Sequence, residues 1–130
     1  MAISKIKVVF QNDIKDVWNV VTSLDNYQWR SDLSRIEVIN DKQFIEYTKD
    51  GYATTFTITV TEPFERWEFD MENSNMKGHW KGIFSCQKGT TEIEFTEDVT
   101  PKKLIMKPFV RTFLKKQQER YVSDLRKVLQ

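Results

Sequence analysis

The sequence predicts an α+β fold: a curved, seven-stranded antiparallel sheet wrapped around one long C-terminal helix, with two small helices between the first and second strands. Three observations carry this. Apolar residues alternate with polar ones through a series of short segments. Each segment ends in a short turn signal, and short connections make consecutive strands antiparallel neighbours. The last part of the chain then changes period, to the spacing of a long amphipathic helix. A sheet bent around a helix tends to enclose a cavity, so the order of elements predicts a container.

In chain order, Ile6, Val8 and Phe10 alternate with Lys5, Lys7 and Val9, so residues 2–10 read as the first strand. Asn12 or Asp13 caps the next helix, because a short side-chain oxygen accepts from the free N–H groups of a first turn. Ile14, Val17, Trp18 and Val21 recur at i, i+3, i+4 and i+7, one face of a short helix. Residues 23–31 hold Tyr27 and Trp29 in a polar frame and are predicted to add a second helical turn or two. Six strand-like runs follow, 34–39, 44–48, 52–61, 64–71, 77–87 and 91–99. They end at Asn40-Asp41-Lys42, Lys49-Asp50-Gly51, Glu62-Pro63, Asn73-Ser74-Asn75, Lys88-Gly89-Thr90 and Thr100-Pro101. After a short turn at 102–107, Pro108 suits the first helical position, where its missing N–H costs nothing. Val110, Phe113, Leu114, Gln117, Tyr121, Leu125 and Val128 then share one face, opposite Lys115, Lys116, Glu119, Arg120, Ser123, Arg126 and Lys127. That is a helix of about 22 residues, roughly 33 Å long.

The 130 residues fit one domain spanning the whole chain. An apolar fraction of 39% and a charged fraction of 30% suit a globular protein. No apolar run approaches the ~20 residues that cross a bilayer, and Met-Ala-Ile-Ser-Lys-Ile-Lys lacks the apolar core of a signal peptide. With Cys86 as the single cysteine, no internal disulfide forms, and the expected location is cytoplasmic. Net charge is +1, but residues 101–130 hold nine Lys/Arg against two Asp/Glu, while the first hundred residues are net acidic. Such asymmetry is either the solvated face of a helix or a surface for an acidic partner.

Asp13-Ile14-Lys15-Asp16-Val17-Trp18 resembles the "proline or polar, x, x, x, Val-Trp" opening of the first helix in the START / polyketide cyclase / birch-pollen-allergen-like superfamily, SRPBCC. Leu24-Asp25-Asn26-Tyr27-Gln28-Trp29 resembles its second helix, Ile36-Glu37-Val38 the strand that follows, and residues 99–130 its last strand and gripping helix. The resemblance implies the helix-grip fold over essentially the whole chain. Gln11-Asn12-Asp13 stands where family members often carry a proline, which alters the cap rather than the fold. Function is less determined, since this fold hosts lipid carriers, hormone receptors, cyclases and chaperone activators. The buried His/Asp arrangements expected of the better-known enzymes are missing.

The candidate ligand-binding residues are Phe56, Trp67, Phe69, Trp80, Phe84, Phe113, Gln117 and Tyr121. Trp67, Phe69 and Met71 share one strand face, as do Trp80 and Phe84, and as do Phe56, Ile58 and Val60. They either line a pocket for an apolar ligand or fill the core. Gly78 and Gly82 bracket Trp80 and mark curvature of the sheet or open space above it. Gln117 breaks the apolar stripe of the last helix, so it either anchors a ligand together with Tyr121 or reaches water at the helix edge. Glu97 shares a face with Ile93, Phe95 and Val99; it is either a pocket acid or the ion-pair partner of Lys102 or Lys103. The Thr55–Thr57–Thr59–Thr61 row is read as the convex face. His79 should lie opposite Trp80, outside the cavity, and Cys86 should pack as a small buried hydrophobe beside Phe84. One histidine and one cysteine argue against an ordinary zinc site, which takes three or four His, Cys or acidic ligands, and no catalytic residue, metal or cofactor is assigned.

The function expected is a small intracellular binding protein, monomer or homodimer, holding a hydrophobic or amphipathic molecule or lipid between sheet and last helix. The alternatives are a cyclase/dehydratase-like enzyme using Glu97, Tyr121 or Tyr47, and an interaction protein meeting an acidic partner through Lys115, Lys116, Arg120 and Lys127. Nucleic-acid binding is not expected, because the aromatics turn inward and no stacking platform accompanies the basic face.

Overall fold

The computed structural model describes residues 2–130. Strand β1 (Ala2–Phe10) leads into helix α1 (Ile14–Thr22), and strands β2 (Leu33–Val38), β3 (Gln43–Thr48), β4 (Ala53–Glu62), β5 (Arg66–Glu72), β6 (Met76–Gln87) and β7 (Thr90–Pro101) follow. A 3-10 helix (Leu104–Phe109) and α2 (Val110–Val128) close the chain. The strands form one antiparallel sheet in the order β1-β7-β6-β5-β4-β3-β2. Every neighbour except β1–β7 is also a neighbour in sequence, as short turns require. The helix packs across the β1–β7 end of the sheet.

The cap of α1 forms as expected: Asp13 accepts from the Lys15 amide at 2.9 Å. The second small helix does not form, and residues 23–32 are turns and bends. Local side-chain bonds compete for the backbone there. Ser23 Oγ takes the Asn26 amide at 3.1 Å, and the Trp29 indole N–H donates to the Asn26 carbonyl at 3.2 Å. Tertiary bonds then hold the loop, with the Ser31 amide and hydroxyl both donating to Asp124 Oδ2 at 2.8 Å.

Residues directly opposite in an antiparallel ladder share a face. One inner row crosses the sheet as Ser4, Glu97, Trp80, Phe69 and Ile58. The next holds Ile6, Phe95, Gly82 and Trp67, and another holds Val99, Gly78, Met71, Phe56 and Phe44. Gly82 has a definite reason: a Cβ there would stand 2.6 Å from the Trp80 ring, which lies over it. At Gly78 a Cβ would meet the Asp98 carbonyl at 2.7 Å. Close approach is the observed cause at both glycines. In β4 a bulge between Ile58 and Val60 breaks the alternation, so Val60 faces Glu68 and Thr61 faces Trp67. Val60 therefore leaves the inner face, and the threonine row changes side after Thr57.

The outer face carries His79, opposite Trp80 as expected. Its Nδ1 lies 2.7 Å from Asp70 and its Nε2 2.7 Å from Glu68. Partial burial works against the charged imidazole, but the two hydrogen bonds and two negative charges outweigh it and hold the pKa above 6.5. A raised histidine pKa stabilises the fold fully below the unfolded value, and the contribution is lost as pH rises through the folded value. An NMR titration should therefore place His79 above 6.5, and Glu68→Gln should bring it down. An unshifted imidazole would refute the pairing.

Candidate functional site

Between the sheet, the 23–32 loop and α2 lies a cavity of about 670 Å³. This is ample for a drug-sized molecule. Its wall is aromatic. Phe69 stacks on Trp80 at 4.8 Å, Phe44 stacks on Phe56 at 4.9 Å, and Trp67 meets Phe69 edge-on at 5.2 Å. These rings are buried residues of the core and line the cavity as well. The two readings of the strand aromatics thus coincide in the same side chains.

Of the eight candidate residues, Phe56, Trp67, Phe69, Trp80, Phe113, Gln117 and Tyr121 line the cavity. Phe84 does not: it packs edge-on against Trp18 at 4.9 Å, beyond the far side of Gly82. Trp18 itself is buried there, also touching Phe64, so Tyr27 and Trp29, not Trp18, flank the cavity. Gln117 and Phe113 sit exposed at the helix edge while still bordering the opening. The glutamine that turns inward is Gln118, whose Oε1 accepts from Ser4 Oγ at 2.7 Å and whose amide donates to the Ser4 carbonyl at 3.0 Å. The buried stripe of α2 is Val110, Leu114, Gln118, Asp124 and Leu125, displaced from the predicted face because the helix also satisfies polar partners on β1 and the loop.

The polar end of the cavity was not apparent from periodicity. Arg30 donates to both oxygens of Asp32, at 3.2 and 3.1 Å, and to both oxygens of Glu46, at 3.3 and 3.4 Å. Its guanidinium lies 5.1 Å from the Tyr121 ring and 5.9 Å from that of Trp29. Burial opposes the charge, but Glu46 and Asp32 more than offset it, so Arg30 stays protonated throughout the accessible pH range. Glu46 had a detectable signal, since it lies two residues from Phe44 and so shares its face on β3. Arg30 and Asp32 lie in an irregular loop, where no period marks the inner face.

Glu97 also lines the cavity, beside Trp80 in the ladder. It does not pair with Lys102, which bonds Glu72 at 2.8 Å instead, and among the described residues it has no salt-bridge partner within 4.0 Å. Burial raises its pKa to about 7, with Arg30 pulling it down and Glu46 pushing it up. The Tyr121 hydroxyl is likewise held above its ordinary value, first by burial. Tyr47 points away from the cavity: its hydroxyl donates to Glu37 at 2.9 Å, and Arg35 covers its ring at 3.9 Å. Cys86 is exposed rather than buried, because β6 runs out past the core at its end.

The family described as polyketide cyclase / dehydrase and lipid transport matches residues 1–130. The chain belongs to this family. Solved structures carry the same fold. A START superfamily protein from Mycobacterium smegmatis superposes with a TM-score of 0.83 at 14% identity, covering 98% of this chain and 96% of that one. A conserved protein from Geobacillus kaustophilus gives 0.84 at 10% identity, over 98% and 95% of the two chains. The di-domain ARO/CYC protein BexL gives 0.81 at 8% identity, with 97% of this chain lying on 45% of that one. No curated protein matches. Identities this low carry the fold alone, so within this family the cavity's own residues must supply the functional reading.

Proposed function

We propose that this polyketide cyclase / dehydrase and lipid transport family member is a binding protein for an amphipathic small molecule, held in the cavity between sheet and last helix. The observation that carries the reading is an aromatic cavity with one polar end. The ligand's apolar body rests on Trp67, Phe69 and Trp80. Its polar end meets Glu97 and the Tyr121 hydroxyl, since both border the cavity and neither has a side-chain hydrogen-bond partner among the described residues.

The polar end also selects. Arg30 already commits its donors to two carboxylates, so it offers little to an anionic head. Once ionised, above about 7, Glu97 offers only acceptors, and no side chain among the described residues donates to it. At that pH the ligand therefore presents a hydrogen-bond donor to Glu97, a hydroxyl or a protonated amine, whereas a carboxylate would meet like charge there. A hydroxyl can also accept from the Tyr121 O–H. Native mass spectrometry and tryptophan fluorescence with matched amines, alcohols and fatty acids of one chain length test this. Amine and alcohol adducts that quench Trp67 and Trp80 are expected, with amine affinity rising as pH passes about 7 and Glu97 ionises. No adduct with any class would overturn the binding reading; preference for the fatty acid would overturn only the donor assignment.

A second reading has one observation in its favour. A carboxyl with a pKa of about 7 can exchange a proton near neutral pH. The cavity would then host cyclase- or dehydratase-type proton transfer, with Glu97 as the proton carrier. Turnover abolished by Glu97→Gln, with ligand affinity retained, would separate enzyme from carrier.

A further inference from the structure

We infer that the segment from Lys102 to Lys116 is a docking surface for an anionic lipid membrane, placed at the mouth of the cavity. Three independent observations converge there. The first is apolar exposure. Leu104 is 84% exposed, Ile105 79%, Phe109 68% and Phe113 45%. Four large apolar side chains within ten residues are far from the scattered single exposures that any surface shows.

The second is charge. The stretch carries Lys102, Lys103, Lys107, Arg111, Lys115 and Lys116 and no acidic residue. Lys103, Lys107, Arg111, Lys115 and Lys116 are exposed, and among the described residues none of them lies in a salt bridge. Apolar side chains to enter the acyl boundary and basic ones to meet headgroups are the two parts of an interfacial anchor. The third is position. Ile105, Phe109 and Phe113 also line the cavity, so the patch borders its opening. A chain seated on a bilayer by this segment faces its cavity to the lipid.

The charge pattern also decides between occupants. A second copy docked on the same patch would bring identical basic side chains together, because a two-fold interface is self-complementary. A nucleic acid would supply phosphates but no home for Leu104 and Ile105. An anionic bilayer satisfies both. No helix among the described residues is long and apolar enough to cross a membrane, so the contact lies at the interface. The patch offers this contact whether or not the cavity is filled.

The test is co-sedimentation of the full chain with phosphatidylcholine vesicles and with phosphatidylcholine–phosphatidylglycerol vesicles. Binding to the anionic vesicles alone, weakened by high salt, is expected. Each basic side chain near an anionic surface contributes roughly a fivefold gain in partitioning. The variant K103Q/K107Q/R111Q should therefore bind on the order of a hundredfold more weakly. L104S/F109S should also lose binding while unfolding at the wild-type temperature, since both side chains are exposed. Equal binding to neutral vesicles, or none to anionic ones, would overturn the inference. So would concentration-dependent dimerisation in sedimentation velocity that L104S/F109S abolishes, which would make the patch an interface between copies.

Discussion

Arg30→Met lowers the unfolding free energy by roughly 3 kcal/mol, the low end of what losing one partner of a buried ion cluster costs. The substitution keeps volume and apolar stem but strands Asp32 and Glu46, whose side chains are only 28% and 15% exposed. Two carboxylates a few ångströms apart then lack their common counter-charge. Glu97 loses the one charge that lowers its pKa, so its titration moves higher still. Chemical denaturation near neutral pH measures the loss of stability. Arg30→Met combined with Asp32→Asn and Glu46→Gln should recover much of the loss, because the damage comes from unpaired charge and not from a cavity. A triple variant as unstable as Arg30→Met would assign the effect to packing instead.

Glu97→Gln should stabilise the protein above neutral pH and leave it nearly unchanged in acid. The folded state holds this carboxyl at about 7 against an ordinary 4.5, so the folded chain keeps a proton that the unfolded chain releases. A pKa raised on folding gives stability that is fully present below 4.5 and is lost as pH rises through about 7. The shift corresponds to a loss on the order of 3 kcal/mol between those limits. The amide variant has no charge to bury at this position, so its stability curve loses that slope. Denaturation midpoints from acid to mildly alkaline pH check this. Parallel curves for the two proteins would mean that Glu97 titrates as it does in water, and the donor-seeking role proposed for it would fall with that result.

The aromatic wall was legible because strand alternation assigns faces one residue at a time. Trp67, Phe69 and Trp80 share the cavity face for the reason that any residues at i, i+2 and opposite registers do. Phe84 follows the same alternation yet packs on Trp18, because alternation says which face a side chain takes and not how far along the strand the cavity extends. Gln117 and Gln118 show the matching limit for helices. A shift of one position rotates the buried stripe by about 100°. What decided it was a hydroxyl on β1, Ser4, more than a hundred positions away in sequence.

By itself the sequence determined the seven strands, the antiparallel pairing of those joined by short turns, the capped first helix, the long C-terminal helix and the inward aromatics. All of these rest on periodicity and turn chemistry acting over a few residues. It also carried the basic C-terminal segment, whose charge needs no coordinates to be counted. That β1 pairs with β7 was decided by the tertiary structure. Only the tertiary structure decided the chemistry of the cavity. Arg30 comes from a loop without period, Glu46 from β3, Glu97 from β7 and Tyr121 from α2, and their meeting depends on sheet curvature and on how α2 is rotated. Whether a carboxylate keeps its charge depends on what surrounds it, and those surroundings exist only once the chain is folded. The exposure of Leu104, Ile105 and Phe109 belongs to the same class: their apolar character is written in the sequence, but that the fold leaves them uncovered is not.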